Sequence, residues 1–298
     1  MLIFQQIYTI NLVTIRAIKI LVDSASDISK QQAKEMGVEL IPLIVSFGDE
    51  QYSDGENLLP TEFYEKLTSN KNHPKTSQIT PYRFEEKFTQ MTENGDEVIC
   101  ICISSKLSGT YSAAKLSAEK FIDKVFVIDS LSATVGERLL CLYALRLIDK
   151  GLSAKEIAEE LDAVKNKVVV MGVLETLEYL KKGGRISATV AFVGKTLNIK
   201  PVVALIDGEV KMIGKAIGKK RGCALMNSVA EQKGGINFDM PYCVLWSGMD
   251  EALGKNYASA SEKLFLDKKE QVPLHALGST IGTHVGPNVV GVAFFKKT

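Results

Sequence analysis

Hydroxyl side chains are concentrated at positions 104–112, in a setting that would suit a bound anion. Six apolar residues at 98–103 precede them and a helix-forming run at 113–120 follows, so they lie in a turn between a strand and a helix. The first turn of a helix offers free backbone N–H groups and the positive end of the helix dipole. We therefore predict that this turn stabilises an anionic group. Its hydroxyls are Ser104, Ser105, Ser108, Thr110 and Ser112.

Two other interpretations of Ser108 stay open from the sequence alone. Serine and threonine often cap helices, so Ser108 or Thr110 could do only that. Ser108 could also be the nucleophile of a serine-dependent lipid esterase. The nucleophile elbow G-x-S-x-G is absent, however, because Lys106 and Thr110 occupy the positions of its two glycines.

An esterase would also need a general base within hydrogen-bond reach of the serine. The best candidate is His284, because the surrounding glycines and proline predict a tight turn. A turn histidine that bonds only to backbone groups is the simpler alternative. The three histidines of the chain are His73, His275 and His284.

Hydroxyls recur beside other predicted strands and helices. Ser24 and Ser26 follow the first predicted strand, Ser130 follows another, and Thr76-Ser77-Gln78 precedes a helix. If the strands are parallel, several of these loops share the edge where open α/β sheets bind ligands. Neutral donors around such a cleft, without any fixed positive charge, suit holding an anion or carbonyl oxygen better than cutting a bond.

Nucleotide binding has no support from motifs. Neither G-x-x-x-x-G-K-[ST] nor G-x-G-x-x-G is present. Lys181, Lys182 and Arg185 could contact a phosphate or an acidic partner, but a solvated basic turn near a helix end is the more common explanation.

The elements that must position these residues alternate between strands and helices, which predicts an α/β fold with a mostly parallel sheet. The Asp207-Gly208 pair between two apolar runs predicts a hairpin with a type I′ turn. The pattern changes near residue 170, where we place a domain boundary. Strands are predicted at 18–22, 38–47, 98–103, 125–128 and 168–171, and helices at 61–67, 82–91, 139–148, 153–166 and 253–266.

Composition excludes some classes of function. The 298 residues carry 36 Lys and Arg against 35 Asp and Glu, a balance that does not favour nucleic-acid binding. The five cysteines lie mainly in apolar runs, which is typical of core residues in a reducing, cytoplasmic setting. No window reaches the ~20 apolar residues of a transmembrane helix, and the first residues lack the features of a secretory signal.

Several motifs, in their common order and spacing, resemble the DegV family of bacterial lipid-binding proteins. The family includes the fatty-acid-binding subunits of fatty acid kinase, and the resemblance covers nearly the whole chain from Ile18 onwards. The motifs are Asp23-Ser24-Ala25-Ser26-Asp27, Thr76-Ser77-Gln78, Ser104-Ser105, Ser108-Gly109-Thr110-Tyr111-Ser112-Ala113, Asp129-Ser130, Gly183-Gly184-Arg185-Ile186, Lys200-Pro201 and His284-Val285-Gly286-Pro287.

The resemblance implies a two-domain α/β protein that buries one long-chain fatty acid, such as palmitate or oleate, in a tunnel between its domains. The N-terminal domain, a mostly parallel sheet with helices on both faces, would span residues 18–170. A second α/β domain would span 171–298, and residues 1–17 would form an N-terminal extension.

By the same resemblance, the carboxylate is held by Thr76 and Ser108, and His284, Ser77 and Thr110 belong to the site. The chain would be a cytoplasmic carrier rather than an enzyme, without cofactor, metal or nucleic acid. It would present the acid to a separate ATP-dependent kinase subunit, with Arg185 at the docking surface. Transient contact with a membrane is compatible with such a carrier.

The sequence also departs from the family pattern. Ile217 stands where members have an arginine associated with kinase docking, and Asn288 stands where glycine is usual. Gln78 is followed by Ile79-Thr80-Pro81, where Pro-Ser is usual. The lipid site is therefore better supported than the kinase partnership.

Overall fold

The computed structural model describes residues 16–186, 198–266 and 272–297, and these residues form three sheets with surrounding helices. The strands are β1 (Ile18–Asp23), β2 (Glu39–Ile41), β3 (Ile44–Phe47), β4 (Glu50–Ser53), β5 (Lys75–Ser77), β6 (Glu97–Cys102), β7 (Val125–Asp129), β8 (Val168–Val173), β9 (Ile199–Ile206), β10 (Glu209–Ile217), β11 (Tyr242–Trp246), β12 (Leu274–Ala276) and β13 (Val290–Phe295). The helices are α1 (Lys30–Met36), α2 (Pro60–Ser69), α3 (Pro81–Thr92), α4 (Thr110–Ala118), α5 (Val135–Asp149), α6 (Ala154–Val164), α7 (Glu178–Lys182), α8 (Lys219–Gln232), α9 (Ala252–Ala260) and α10 (Ser279–Val285).

The first sheet has the strand order β2-β1-β6-β7, and all its neighbouring strands are parallel. β6 lies inside the sheet and is buried from its second residue onwards, as its continuous apolar run predicted. Turns follow the carboxyl ends of β1, β6 and β7 and bond to one another, for example through Ser104 N–H and the carbonyl of Ser132 at 2.7 Å. The predicted α/β fold is confirmed, and its hydroxyl-bearing turns meet at one edge of the sheet.

A three-stranded antiparallel sheet, with the order β4-β3-β5, was not predicted from the sequence. Residues 38–47 were expected to form one strand, at a sheet edge or irregular because of Pro42. The chain instead leaves the parallel sheet at Pro42, after β2, and begins the small sheet with β3. Thr76, expected in a loop, lies on β5 opposite Val45. Strands of three or four residues are too short for a periodic pattern to reveal them.

The third sheet has six strands in the order β10-β9-β8-β13-β11-β12 and is mostly antiparallel. The predicted hairpin of β9 and β10 is confirmed, with φ of 53° at Asp207 and 82° at Gly208, as a type I′ turn requires. One continuous core of buried side chains joins this sheet to the parallel one. The domain boundary at residue 170, which falls within β8, stays a prediction.

Two predictions near the end of the chain need correction. α9 ends at Ala260, several residues short of the predicted stop, and His284 lies in the last turn of α10 rather than in a tight turn between glycines. A helix of seven residues with an internal glycine has little intrinsic stability, so its sequence resembles a loop. Its position depends on tertiary contacts.

Other predictions concern the cysteines and the chain's relation to membranes. All five cysteines are free, four are buried, and Cys100 Sγ lies 3.6 Å from Cys102 Sγ on one face of β6. Across the described part of the chain, no helix is both long enough and apolar enough to span a membrane. Most of the predicted N-terminal extension, residues 1–15, lies outside the described residues.

Candidate functional site

A cavity of about 280 Å³ lies between the carboxyl edge of the parallel sheet, the six-stranded sheet and α10. Most of its wall is apolar, with contributions from Leu43, Leu107, Met171, Leu205 and Ile281. Such a wall suits a hydrocarbon chain, because transfer of apolar surface out of water stabilises the bound state. The polar side chains that concern its function are Thr76, Ser77, Gln78, Ser108, Arg185 and His284.

Thr76 and His284 meet at this cavity, although they are 208 residues apart in sequence. β5 presents Thr76, the last turn of α10 presents His284, and Thr76 Oγ1 lies 2.8 Å from His284 Nε2. Burial, and then the positive charge of Arg185, lower the pKa of His284 to about 4. The imidazole is therefore neutral at pH 7. Its other nitrogen, Nδ1, is buried and has no hydrogen-bond partner among the described residues.

Ser108 lies one residue before the Gly109 N-cap of α4. Its Oγ lies 2.9 Å from Thr110 Oγ1 and accepts a bond from the Thr110 backbone N–H. The capping interpretation is thus partly right, since Ser108 bonds to an amide of the first helical turn. Ser108 also lines the cavity, so one side chain is placed for both tasks.

Thr110, in contrast, is fully buried and does not line the cavity. Its hydroxyl bonds to Ser108 and accepts the backbone N–H of Ile79 at 3.4 Å. Gly109 packs so closely against Gln78 that a Cβ there would overlap the amide of that side chain. Thr110 and Gly109 therefore hold the Ser108 turn against the segment that carries Thr76 and Ser77.

Arg185 adds a fixed positive charge to the cavity wall, whereas the hydroxyl motifs predicted a cleft lined by neutral donors alone. Its Nε donates to the carbonyl of Leu107 at 3.1 Å and its Nη1 donates to that of Gly183 at 2.6 Å. These bonds hold the guanidinium in the cavity wall beside the Ser108 turn. Gly183 itself lies against His284, and a Cβ at Gly183 would overlap Nδ1 of the imidazole.

The geometry does not pair Ser108 with His284. Ser108 Oγ bonds to Thr110 Oγ1, and His284 Nε2 bonds to Thr76 Oγ1. The ring of His73 lies 5.7 Å from that of Tyr179, and His275 lines a separate groove. The two members of the predicted esterase pair thus make their hydrogen bonds elsewhere.

Sequence reasoning missed a group of buried carboxylates close to the cavity. Asp23 accepts the backbone N–H groups of Ala25 and Ile103, although it belongs to a motif that drew attention only for its serines. Burial raises the pKa of Asp23 to about 7 and that of Asp27 to about 8, and it raises the pKa of Asp54 as well. Glu137 is fully buried nearby, and burial raises its pKa well above the usual range.

Asp27 and Asp54 bond to the start of α10. Asp27 Oδ1 accepts the N–H of Gly278 at 2.7 Å, and Asp54 accepts those of Ser279 at 3.1 Å and Thr280 at 3.2 Å. No group of three or more metal-ligating side chains occurs within residues 16–186, 198–266 and 272–297. Both carboxylates bond to the backbone at the start of α10.

A comparison with known proteins identifies a family whose model matches nearly the whole chain. The family model described as uncharacterised protein, DegV family, matches residues 17–297. A DegV domain-containing protein of Caldanaerobacter subterraneus is 33% identical over 285 residues, which cover 94% of this chain and 99% of that protein.

Two solved structures are similar over almost their full length. The fatty-acid-binding DegV family protein of Thermus thermophilus has a TM-score of 0.81 and 31% identity, and the match covers 94% of this chain and all of that one. A stearic-acid-binding protein of Eubacterium ventriosum has a TM-score of 0.80 and 28% identity, with 93% and 97% of the two chains covered.

Proposed function

The chain belongs to the DegV family, and on that premise we propose that it binds one long-chain fatty acid, such as palmitate or oleate. The acyl chain would occupy the cavity, and Thr76 and Ser108 would hold the carboxylate. The strongest support is the cavity wall, in which hydroxyls, an imidazole and a guanidinium accompany a mostly apolar surface. The binding of fatty acids by similar proteins adds to this support.

The two parts of such a ligand contribute differently to its affinity. Burial of a tail contributes about 0.8 kcal/mol per methylene, or roughly 11 kcal/mol gross for a sixteen-carbon acid before the cost of association. A hydrogen bond to a charged group contributes about 1.5–3 kcal/mol. The tail therefore supplies most of the affinity, and the hydroxyls determine which end of the acid lies at the polar part of the wall.

The neutral imidazole of His284 orients the hydroxyl that contacts the ligand. In the tautomer that carries its proton on Nε2, His284 donates to Thr76 Oγ1 and leaves the Thr76 proton free for the carboxylate. The opposite tautomer would engage that proton and remove a donor from the ligand. Arg185 supplies the positive charge that a buried carboxylate needs, since an unpaired charge is costly away from water.

We extend the proposal to a partner. The protein presents its bound acid to a separate fatty acid kinase subunit and does not itself transform the acid. This step rests on the family resemblance and on the absence of a phosphate-binding motif in the sequence. Arg185 lines the cavity. Ile217 lies on β10 and is 60% exposed, at the position where family members have an arginine associated with kinase docking.

Loading the purified protein with palmitate or oleate, followed by extraction and mass spectrometry, tests the function. One bound acyl chain per protein is expected, and no bound chain after loading would refute the proposal. A fluorophosphonate probe tests the esterase alternative, because labelling of Ser108 together with ester turnover would favour an enzyme.

The double variant Thr76→Ala, Ser108→Ala tests the site. Loss of two bonds to a charged group, at about 1.5–3 kcal/mol each, should weaken palmitate binding by at least about 100-fold in a titration. Ser112→Ala is the matched control, because Ser112 is exposed on the same helix that follows Ser108. Unchanged affinity in the double variant would remove Thr76 and Ser108 from the site.

A further inference from the structure

We propose that Asp54 and Asp27 are positioning residues for the carboxylate-binding part of the cavity, an inference that rests on the proposed fatty-acid function. Neither side chain lines the cavity. Both act through α10, whose backbone they hold at one end and whose other end carries His284. Their role is to keep His284 against Thr76.

The start of α10 depends on these two carboxylates. Helices leave their first N–H groups without partners inside the helix. Here Gly278, Ser279 and Thr280 donate these groups to Asp27 and Asp54, which come from distant parts of the chain. Their oxygen atoms supply acceptors to amides that would otherwise be buried without partners, which is costly.

The length of α10 makes this attachment important for His284. A helix of seven residues is not stable by itself, so its place in the fold comes from its tertiary bonds. Thr280 and His284 are four residues apart, about 6 Å along the axis and on the same face. Both line the cavity, so a shift of the first turn moves the wall and the imidazole together.

Asp27 connects the helix to a second part of the cavity wall. Its Oδ2 accepts a bond from Thr134 Oγ1 at 2.6 Å, and Thr134 lines the cavity. Thr134 has a φ of 56°, an uncommon conformation for a β-branched residue that its surroundings must maintain. Asp27 thus holds the first turn of α10 and a strained residue of the wall in one arrangement.

The two carboxylates also separate the lipid cavity from a second, larger space. A groove of about 970 Å³ lies on their other side and is lined by Asp27, Asp54 and Gly278. The two carboxylates line the groove, and Thr134 and Thr280, to which they bond, line the cavity. A change at either carboxylate reaches the cavity without any direct contact between the carboxylates and the lipid.

The variant Asp54→Asn tests the proposal, since it keeps the size of the side chain and turns one acceptor into a donor that faces a backbone N–H. Titrations with palmitate and with 1-hexadecanol, which has the same tail and no carboxylate, are compared. We expect about tenfold weaker palmitate binding and less than a twofold change for hexadecanol. The ¹⁵N resonances of the His284 imidazole should also shift in the unliganded variant.

Asp49→Asn is the matched control, because Asp49 is exposed. If Asp54→Asn does not fold, Asp27→Asn replaces it, since that change disturbs one amide of the helix instead of two. Unchanged palmitate binding would overturn the proposal, as would an equal loss for both ligands, which is the result expected of a purely structural role.

Failure of the fatty-acid function gives a different result. If the wild-type protein does not bind palmitate, the proposed function fails and the positioning role falls with it. If the wild type binds palmitate and Thr76→Ala weakens binding while Asp54→Asn does not, only the positioning role fails.

Discussion

The two ends of α10 use polar groups in opposite ways. At its start, three backbone amides bond to the carboxylates of Asp27 and Asp54 in a buried setting. At its other end, His284 has one bonded nitrogen and one without a partner among the described residues, beside a cavity. Polar groups that satisfy one another hold structure in place, whereas spare hydrogen-bonding capacity beside an apolar cavity is available to a ligand.

The largest expected effect is a difference in the free energy of unfolding between variants at the two ends of α10. Asp54→Ala would leave the amides of Ser279 and Thr280 buried without acceptors, at a cost of roughly 2–5 kcal/mol in the free energy of unfolding. Thr76→Ala removes one bond at the other end and should cost about 1 kcal/mol or less. Urea unfolding of both variants measures the difference.

Asp49→Ala, at an exposed position, controls for the loss of an acidic side chain and should leave the unfolding midpoint unchanged. Equal destabilisation by Asp54→Ala and Thr76→Ala would contradict the comparison, because the ligand-binding end would then contribute as much to the fold as the buried end.

The second prediction concerns affinity at the His284 end. A Cβ at Gly183 would overlap Nδ1 of His284, so in Gly183→Ala the imidazole must move and its bond to Thr76 is lost. We expect about tenfold weaker palmitate binding in a titration, with a small change in stability.

A double-mutant cycle shows whether Gly183 acts through His284. In a His284→Ala background there is no imidazole to displace, so Gly183→Ala should have no further effect on affinity. Additive losses in the double variant would show that Gly183 contributes to binding by another route.

The separation of interacting residues along the chain explains which features could be predicted from the sequence. β6, the β9–β10 hairpin and helix α6 were recognised because the patterns that predict them lie within one continuous stretch of sequence. The short strands β4 and β5 and the seven-residue α10 carry too little local pattern to be found. Only the family resemblance assigned Thr76, Ser108 and His284 to one site. No periodicity in the sequence relates Thr76 to His284, which is 208 positions away.

Neither local sequence patterns nor the family resemblance indicated the role of the carboxylates at the start of α10. Asp27 accepts from an amide 251 residues away, and Asp54 from amides 225 and 226 residues away. Any carboxylate can accept a backbone N–H, so the residue type does not indicate which helix it holds. Only the fold shows that these residues support the end opposite His284.

The last prediction concerns the pH dependence of stability at Glu137, which belongs to the buried surroundings of Asp23 and Asp27. Burial is the main cause that raises the pKa of Glu137 well above its usual range, followed by the nearby charges of Asp23 and Asp27. The folded protein therefore keeps this proton at pH values where the unfolded chain releases it. This contribution to stability is complete below about pH 4.5 and decreases as pH rises toward the folded-state pKa.

Glu137→Gln keeps the shape of the side chain and removes its titration. Between pH 5.5 and pH 7.5, the free energy of unfolding of the variant should fall less steeply with pH than that of the wild type, and the difference is at most about 1.4 kcal/mol per pH unit, the limit for one proton. Urea unfolding at the two pH values measures both slopes, and Glu159→Gln, the same change at an exposed position, is the control. Equal slopes would mean that Glu137 is already charged in the folded protein at these pH values. That result would contradict a raised pKa for this buried side chain.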